Sequence, residues 1–271
     1  MAAKSDLHVH SIYSEHPSDW FLQRIGAGES YSEPELIYKQ AKNRGMDFVT
    51  ITDHNKIDGV LKLMEKHPDD TFSGVESTTY FPEDRCKIHI LIYGFTEDQF
   101  NDIQKARNNI YDLRDYLRQN GLAHSVAHAF YSVNGRLKPE YLEKLLLLFD
   151  VFEGINGSQG KTNNSGVIDI LGILNEKMMA RLREKHDIEP FSDTPWLKSF
   201  TAGSNDHAGL FIGKTFTEAA ASIPGEFIHS IKTRGTKIRG IDNDFANLAL
   251  KVYKIAWDYS NAKSKKISKN F

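Results

Sequence analysis

Cysteine is nearly missing from this sequence: Cys86 is the only one in 271 residues. No disulfide can therefore form within the chain, and a reducing compartment fits. Long apolar runs are missing too. The longest, Leu145 to Phe149, falls far short of the ~20 residues that cross a bilayer as a helix. The first residues lack the basic-then-apolar layout of a secretory signal, so a soluble, cytoplasmic protein without a membrane partner is expected. No excess of positive charge exists either, with Lys and Arg at 34, Asp and Glu at 36 and a formal net charge of −2. That balance excludes a nucleic-acid-binding surface spread over the whole molecule. The basic run Lys263 to Lys266 reads as a solvated tail. Repeats, linkers and low-complexity segments are also lacking. One domain over residues 1–271 is expected, with a core at about 5–240 and a C-terminal helix and tail at about 243–271.

What is present is histidine, eleven of them, and their placement is not random. Asp6-Leu7-His8-Val9-His10-Ser11 reads as a strand whose alternation puts His8 and His10 on one face and Leu7 and Val9 on the other. Two imidazoles so placed close on one divalent ion, although such a pair alone is a weak signal. A long loop runs from Ser11 to Ser32, and Ser32-Glu33-Pro34-Glu35 starts a helix. Phe48 to Thr52 reads as a buried strand ending in Asp53-His54. Further strands are expected at Phe72 to Thr78 with Glu76, Lys87 to Tyr93 with His89, Ala123 to Ala127 before His128, Phe149 to Ile155, and Thr201 to Ser204 before Asn205-Asp206-His207. Between them the periodicity predicts helices, among them single long ones over Glu97 to Gln119 and Val167 to Lys185.

About seven strands alternating with helices predict parallel βα units and, at this length, a closed or nearly closed βα barrel. Active sites in such barrels sit at the C-terminal rim of the strands. His8, His10, His54, His89, His128 and His207, with Glu76, all fall at or near strand ends. One such histidine is more often structural; so many on separate βα positions point to a shared metal centre with more ligands than one ion uses. His67, His124, His186 and His229 read as structural or exposed.

His8-Val9-His10-Ser11, Thr52-Asp53-His54, Glu76 after Gly74, and Gly203-Ser204-Asn205-Asp206-His207 follow one another in an order that resembles the polymerase-and-histidinol-phosphatase (PHP) family of metal-dependent phosphoesterases. The resemblance covers residues 5 to about 215. The segments 132–137 and 152–157 look like a bacterial subgroup in which the domain stands alone or beside glycosyltransferase-like domains. It implies a distorted seven-stranded, TIM-like α/β barrel with two or three divalent ions, zinc, manganese or iron. His8, His10, Glu76 and Asn205 would hold one ion. Glu76, His89 and His128 would hold a second, with Glu76 bridging. His54, His207 and either His16 or Glu15 would hold a third. Glu76, His54 and Asp53 are the expected catalytic residues, Asp53 serving as ligand or as orienter of its neighbour. Arg24, Arg136 and Lys161, in expected rim loops, would grip the substrate.

The implied reaction is hydrolysis of a phosphate ester by a metal-activated water. The substrate would be a small phosphorylated molecule: a nucleotide, a short oligonucleotide or a sugar phosphate. Two alternatives stand beside it. Amidohydrolase-like metal hydrolases also open with a His-x-His pair, and a metal-binding module without chemistry is suggested by Asn205, where the family usually has aspartate. A shifted alignment would make Asp206 the ligand instead; the two-residue spacing to His207 favours Asn205.

Overall fold

The computed structural model of the chain describes residues 2–14 and 30–244, together with 247, 250, 251, 253–255, 257–259 and 261. Its strands form two sheets. The larger has the order β2 (Gly74–Phe81), β3 (Cys86–Tyr93), β4 (Ala123–Val126), β5 (Val151–Asn156) and β6 (Ser199–Gly203). The smaller has the order β1 (Ala2–Ser5), β7 (Phe216–Ala220) and β8 (Thr236–Arg239). Neither β7 nor β8 was expected from the sequence, and the edge position of β1 was not either.

The expected all-parallel barrel needs correction. β4, β5 and β6 do run parallel, but β3 is antiparallel to both β2 and β4. The reason lies in the connection. β2 ends at Phe81 and β3 begins at Cys86, and so short a link makes a hairpin, whereas a parallel crossover needs a dozen or more residues.

Among the described residues the ladders do not close into a barrel. The segments around His8–His10 and Phe48–His54, expected as strands, form no ladder; they join their neighbours through the isolated parallel bridges Val9–Asp206, Val49–Thr71 and His54–Glu76 and through single backbone bonds such as Thr52 N–H to the Val9 carbonyl at 2.8 Å. Side chains have taken the backbone donors a ladder would use. The amide of His8 donates to Asp6 Oδ1, that of Val9 to Thr52 Oγ1, and that of Ser11 to Asp53 Oδ1. Asp and Thr side chains compete with sheet pairing in this way.

Two helices expected as continuous are each broken in two. Residues 97–119 form α3 (Glu97–Ala106) and α4 (Ile110–Gln119). Thr96 and Gln99 close a capping box at the first, and Asn109 caps the second by accepting from the Tyr111 amide. Residues 161–186 form α6 (Lys161–Gly172) and α7 (Glu176–His186), with Asn175 capping the latter. Asparagine favours the cap over the helix interior, so each break falls where one occurs. The remaining helices are α1 (Pro34–Asn43), α2 (Asp58–Lys66), α5 (Pro139–Leu148) and α8 (Pro224–Lys232).

Strand β3 shows how the fold builds a floor for the site. Ile88, Ile90 and Ile92 on one face pack outward into the main core beneath the helices. On the other face Leu91 and Tyr93 join Leu7, Ala123, Ala127 and Val151 in a second apolar cluster, and the Tyr93 hydroxyl donates to the Leu7 carbonyl at 2.9 Å. His89 continues that second face. Each fully buried large side chain contributes about 1.5–3 kcal/mol, so the floor fixes the backbone from which the polar residues rise.

Candidate metal centre

Glu76 is the centre of the site, although it is buried to 1% exposure inside a strand. Its Oε2 lies 3.0 Å from His8 Nε2, 3.2 Å from His10 Nε2 and 3.3 Å from His54 Nδ1. Its Oε1 lies 2.8 Å from His89 Nδ1 and 3.1 Å from His128 Nε2. One carboxylate thus faces imidazoles from five separate positions in the sequence. Three overlapping groups have their ligand atoms within 4.8 Å of one another: His8, His10 and Glu76; His54, Glu76 and His89; and His10, His54 and His207. The last is reinforced by the stacking of the His10 and His207 rings at 4.3 Å.

The surrounding hydrogen bonds choose which nitrogen each ring presents. His8 Nδ1 sits 2.8 Å from Glu153 Oε1, leaving Nε2 for the centre. His207 Nδ1 donates to the Asn205 carbonyl at 3.2 Å, so Nε2 is the nitrogen on the far side of the ring from that bond. His10 Nδ1 lies 3.2 Å from Ser14 Oγ. Metal-bound histidines use their second nitrogen in this manner, and the partner sets the tautomer.

Glu153 was missed as a site residue, yet it holds more of the centre than any other residue outside the cluster. Besides His8 it accepts from the backbone amide of His128 at 2.8 Å and from Asn156 Nδ2 at 2.7 Å. His128 has a φ of +30°, an unfavourable conformation for a residue with a Cβ, and the Glu153 bond holds it there. The sequence did carry a signal: a carboxylate in the middle of the otherwise apolar strand Val151–Asn156.

Electrostatics follow from burial and crowding. Burial weakens the charged form of His8, but Glu76 and Glu153 outweigh it and push its pKa up to about 10. Burial and the nearby His207 push His10 down to about 3. Burial likewise takes His89 down to about 4, against the pull of Glu76. Glu76 stays ionised well below the usual carboxylate range: burial opposes this, and His54, His8 and His89 overcome it.

Asn205 and Asp206 differ in backbone conformation and in partners. Asn205 adopts a left-handed φ of +45°, which asparagine tolerates better than most residues. Its amide donates to the His8 carbonyl at 2.7 Å, and its side-chain Oδ1 is buried with no hydrogen-bond partner. A buried, unpaired oxygen beside a histidine cluster fits a cation ligand. Asp206 belongs to none of the three clusters; its backbone carbonyl accepts from the His10 amide at 3.1 Å, its Oδ1 from the Ala208 amide at 3.5 Å, and its Oδ2, like Asn205 Oδ1, is buried with no hydrogen-bond partner.

Asp53 is tied to the segment after His10. Its Oδ1 accepts from the Ser11 amide and its Oδ2 from the Ser11 hydroxyl, both at 2.6 Å. The carboxylate therefore anchors the segment that follows His10, which agrees with the orienting role, one of the two expected of it. Arg136 is exposed, and its guanidinium donates to the Asp84 carbonyl in the β2–β3 turn. Lys161 is exposed at the start of α6. Glu15, His16 and Arg24 lie outside the described residues. Of the histidines read as structural, His124 packs edge-on against Phe149 and Phe191, His67 stacks on Tyr38 beside Glu35, and His186 pairs with Glu143.

The donor set fits divalent transition metals, being imidazole nitrogen with one central carboxylate and an amide oxygen. Comparison with solved structures bears on the scaffold. PsfC from Pseudomonas syringae aligns over 96% of this chain and 98% of its own, with a TM-score of 0.56 at 16% identity. A two-domain protein from Bacteroides vulgatus, containing a predicted PHP-like metal-dependent phosphoesterase, aligns over 94% of this chain and 70% of its own, with a TM-score of 0.53 at 13% identity. This chain shares its fold with these two structures. At such identities the likeness to PHP-like proteins is one of fold alone. No family model matches the chain. An uncharacterised protein of Methanocaldococcus jannaschii is 45% identical over 65 residues, which are 23% of this chain and 36% of that relative's length.

Proposed function

We propose that this protein is a metal-dependent phosphoesterase acting on a small phosphorylated substrate. One observation carries the reading. Glu76 takes part in two overlapping ligand groups that share residues with a third, a donor set larger than one ion uses. His8, His10, Glu76 and Asn205 would hold one ion; Glu76, His89 and His128 a second; His54 and His207, with a ligand from residues 15–16, a third. Divalent ions so held neutralise phosphate oxygens and lower the pKa of water to near neutrality. The chain's own residues orient the rings, Glu153 at His8 Nδ1 and the Asn205 carbonyl at His207 Nδ1, so that each turns Nε2 away from that partner. Asn55, which follows His54, is tied to β2: its Nδ2 donates to Thr78 Oγ1 at 3.1 Å and its Oδ1 accepts from the Thr78 amide at 2.8 Å.

The test is turnover of an aryl phosphate, set against a cyclic amide, by protein reconstituted separately with zinc, manganese and iron. Hydrolysis of the phosphate alone is the expected result. Turnover of the amide alone would replace this reading with an amidohydrolase-like one. Tight metal binding without either reaction would point to a non-catalytic module, a role compatible with the neutral Asn205.

A further inference from the structure

Lys251 is a buried ammonium that the metal centre does not obviously require. It lies in the helical stretch near the C-terminus with 7% of its surface exposed. Its Nζ donates to Ser158 Oγ at 2.8 Å and to the Gly157 carbonyl at 3.3 Å, and it rests 5.0 Å above the Phe211 ring. Withdrawing an ammonium from water costs several kcal/mol. An apolar side chain would fill the same space without that cost, so the charge implies a task.

The directions of the hydrogen bonds show what the task is. An ammonium can only donate, so the Ser158 oxygen accepts from Lys251 and the hydroxyl hydrogen is turned away from it. That hydrogen goes to the Asn205 carbonyl, 2.6 Å distant, in preference to the Ser204 carbonyl at 3.4 Å. The Asn205 carbonyl is also the acceptor for His207 Nδ1. A one-way relay thus runs from Lys251 through Ser158 to the atom that fixes the His207 tautomer. It ends on Asn205, the residue with the left-handed φ of +45° and a buried Oδ1 without a hydrogen-bond partner.

The same loop is held from the C-terminal side at other points. Asn243 Nδ2 donates to the Ser158 carbonyl at 3.1 Å, the Asn243 amide to the Gln159 carbonyl at 2.9 Å, and Asn164 Nδ2 to Asp242 Oδ1 at 2.8 Å. Asn164 Oδ1 in turn accepts from the amide of Asn156, the residue that bonds Glu153. The anions facing Lys251 are Asp206 and Asp6; burial lowers its pKa and these two oppose the shift.

We infer that Lys251 is a positioning residue for the metal centre, acting through Ser158 to hold the Asn205 carbonyl and with it the ligand geometry of His207. Its consequence for metal binding rests on the metal-dependent reading above; its consequence for the His207 ring does not. The test compares the full-length wild type with Lys251→Met, which keeps the bulk over Phe211, and with Ser158→Ala. The first readout is the ¹⁵N spectrum of His207 in metal-free protein. The wild type should show the Nδ1–H form, and both variants should lose it in favour of a mixture. The second is zinc affinity by competition with a chromophoric chelator, expected to fall about 10- to 100-fold, the usual effect of removing an outer-sphere partner. Lys251→Met combined with Ser158→Ala should be no worse than the poorer single variant, because both break one relay.

Lowered thermal stability with either the tautomer or the zinc affinity unchanged would overturn the inference. Additive losses in the double variant would overturn the relay. Should the wild type bind no zinc, the functional reading fails, and the His207 tautomer alone then decides for or against Lys251.

Discussion

At the scale of single residues, Glu76 is where the site is most vulnerable. Its two oxygens face His8, His10 and His54 on one side and His89 and His128 on the other. Glu76→Gln keeps the shape but removes the charge and one of the two acceptor oxygens, so more than one ion loses a ligand. Metal affinity should fall by more than about 100-fold, beyond the range of outer-sphere changes, and more than in His89→Ala. Metal analysis after dialysis checks this, and retention of full metal content would remove Glu76 from the centre. Asn205 leads to a prediction of opposite sign. Its unpaired oxygen is neutral, so Asn205→Asp should tighten metal binding while Asp206→Ala changes it less. Calorimetric titration with zinc distinguishes them, and the reverse order would establish Asp206 as the ligand.

The titrating groups give a residue-scale prediction for metal-free protein. His10 and His89 fall from 6.5 to about 3 and about 4. Their folded pKa values lie below the unfolded one, so their stabilisation is present above pH 6.5 and lost as pH falls towards 3. Glu76, lowered from 4.5, has the same sign at the acid end. Asp6 runs the other way: burial raises it from 3.8 to about 6, so its stabilisation is present below 3.8 and lost as pH rises through 6. His8, raised from 6.5 to about 10, stabilises fully below 6.5 and ceases to do so as pH passes 10. The histidines and Glu76 together outweigh Asp6, so the melting temperature should fall on acidification from pH 6.5 to 3 and on alkalinisation from 6.5 to 10. A melting temperature flat from pH 6.5 to 4 would show that His10 and His89 are not buried as neutral rings.

At the scale of elements, the sequence was legible where a pattern is local and dense. The isoleucines of β3 alternate, and the strand forms with His89 on the opposite face. Glu76, His54, His128 and His207 could be picked out because each follows or interrupts an apolar run. Legibility failed where a side chain overrode the backbone pattern. Asn109 and Asn175 cut helices whose apolar periodicity continues across them, and Asp6, Thr52 and Asp53 took the amides of segments that alternate like strands. Lys251 was not legible as a site residue because its partners lie far away in sequence, and Glu153 showed only as a carboxylate interrupting an apolar strand. The close approach of β6 to the His8 segment gives the prediction at this scale. A Cβ on Gly203 would overlap the His8 backbone and its Cβ. Gly203→Ala should therefore cost about 1–3 kcal/mol of stability, the usual effect of overpacking, and weaken metal binding with it. Urea denaturation together with zinc titration measures both, and a neutral substitution would mean that β6 and His8 are not in contact.

At the scale of the whole molecule, the centre draws its ligands from positions far apart in the chain, from His8 at one end to His207 near the other, and from both parallel and antiparallel strands. Without ions, one carboxylate offsets the burial of several imidazoles, and rings such as His10 and His89 are held neutral against their ordinary pKa values. Ions bound at these donors would join segments that are otherwise linked by isolated bridges, Val9 to Asp206 and His54 to Glu76. Binding should therefore stabilise the fold as a unit. One ion at about a hundredfold excess over its dissociation constant contributes about 2.7 kcal/mol. For a chain of this size that raises the melting temperature by about 5–10 °C, and a second ion adds a further step. Calorimetry on chelator-treated protein, followed by stepwise addition of zinc or manganese, should show melting temperatures rising through more than one equivalent. A rise that ends at one equivalent would reduce the centre to a single ion and leave the remaining histidines with a structural role. No rise at all would mean that Glu76 and its histidines are sufficient partners for one another.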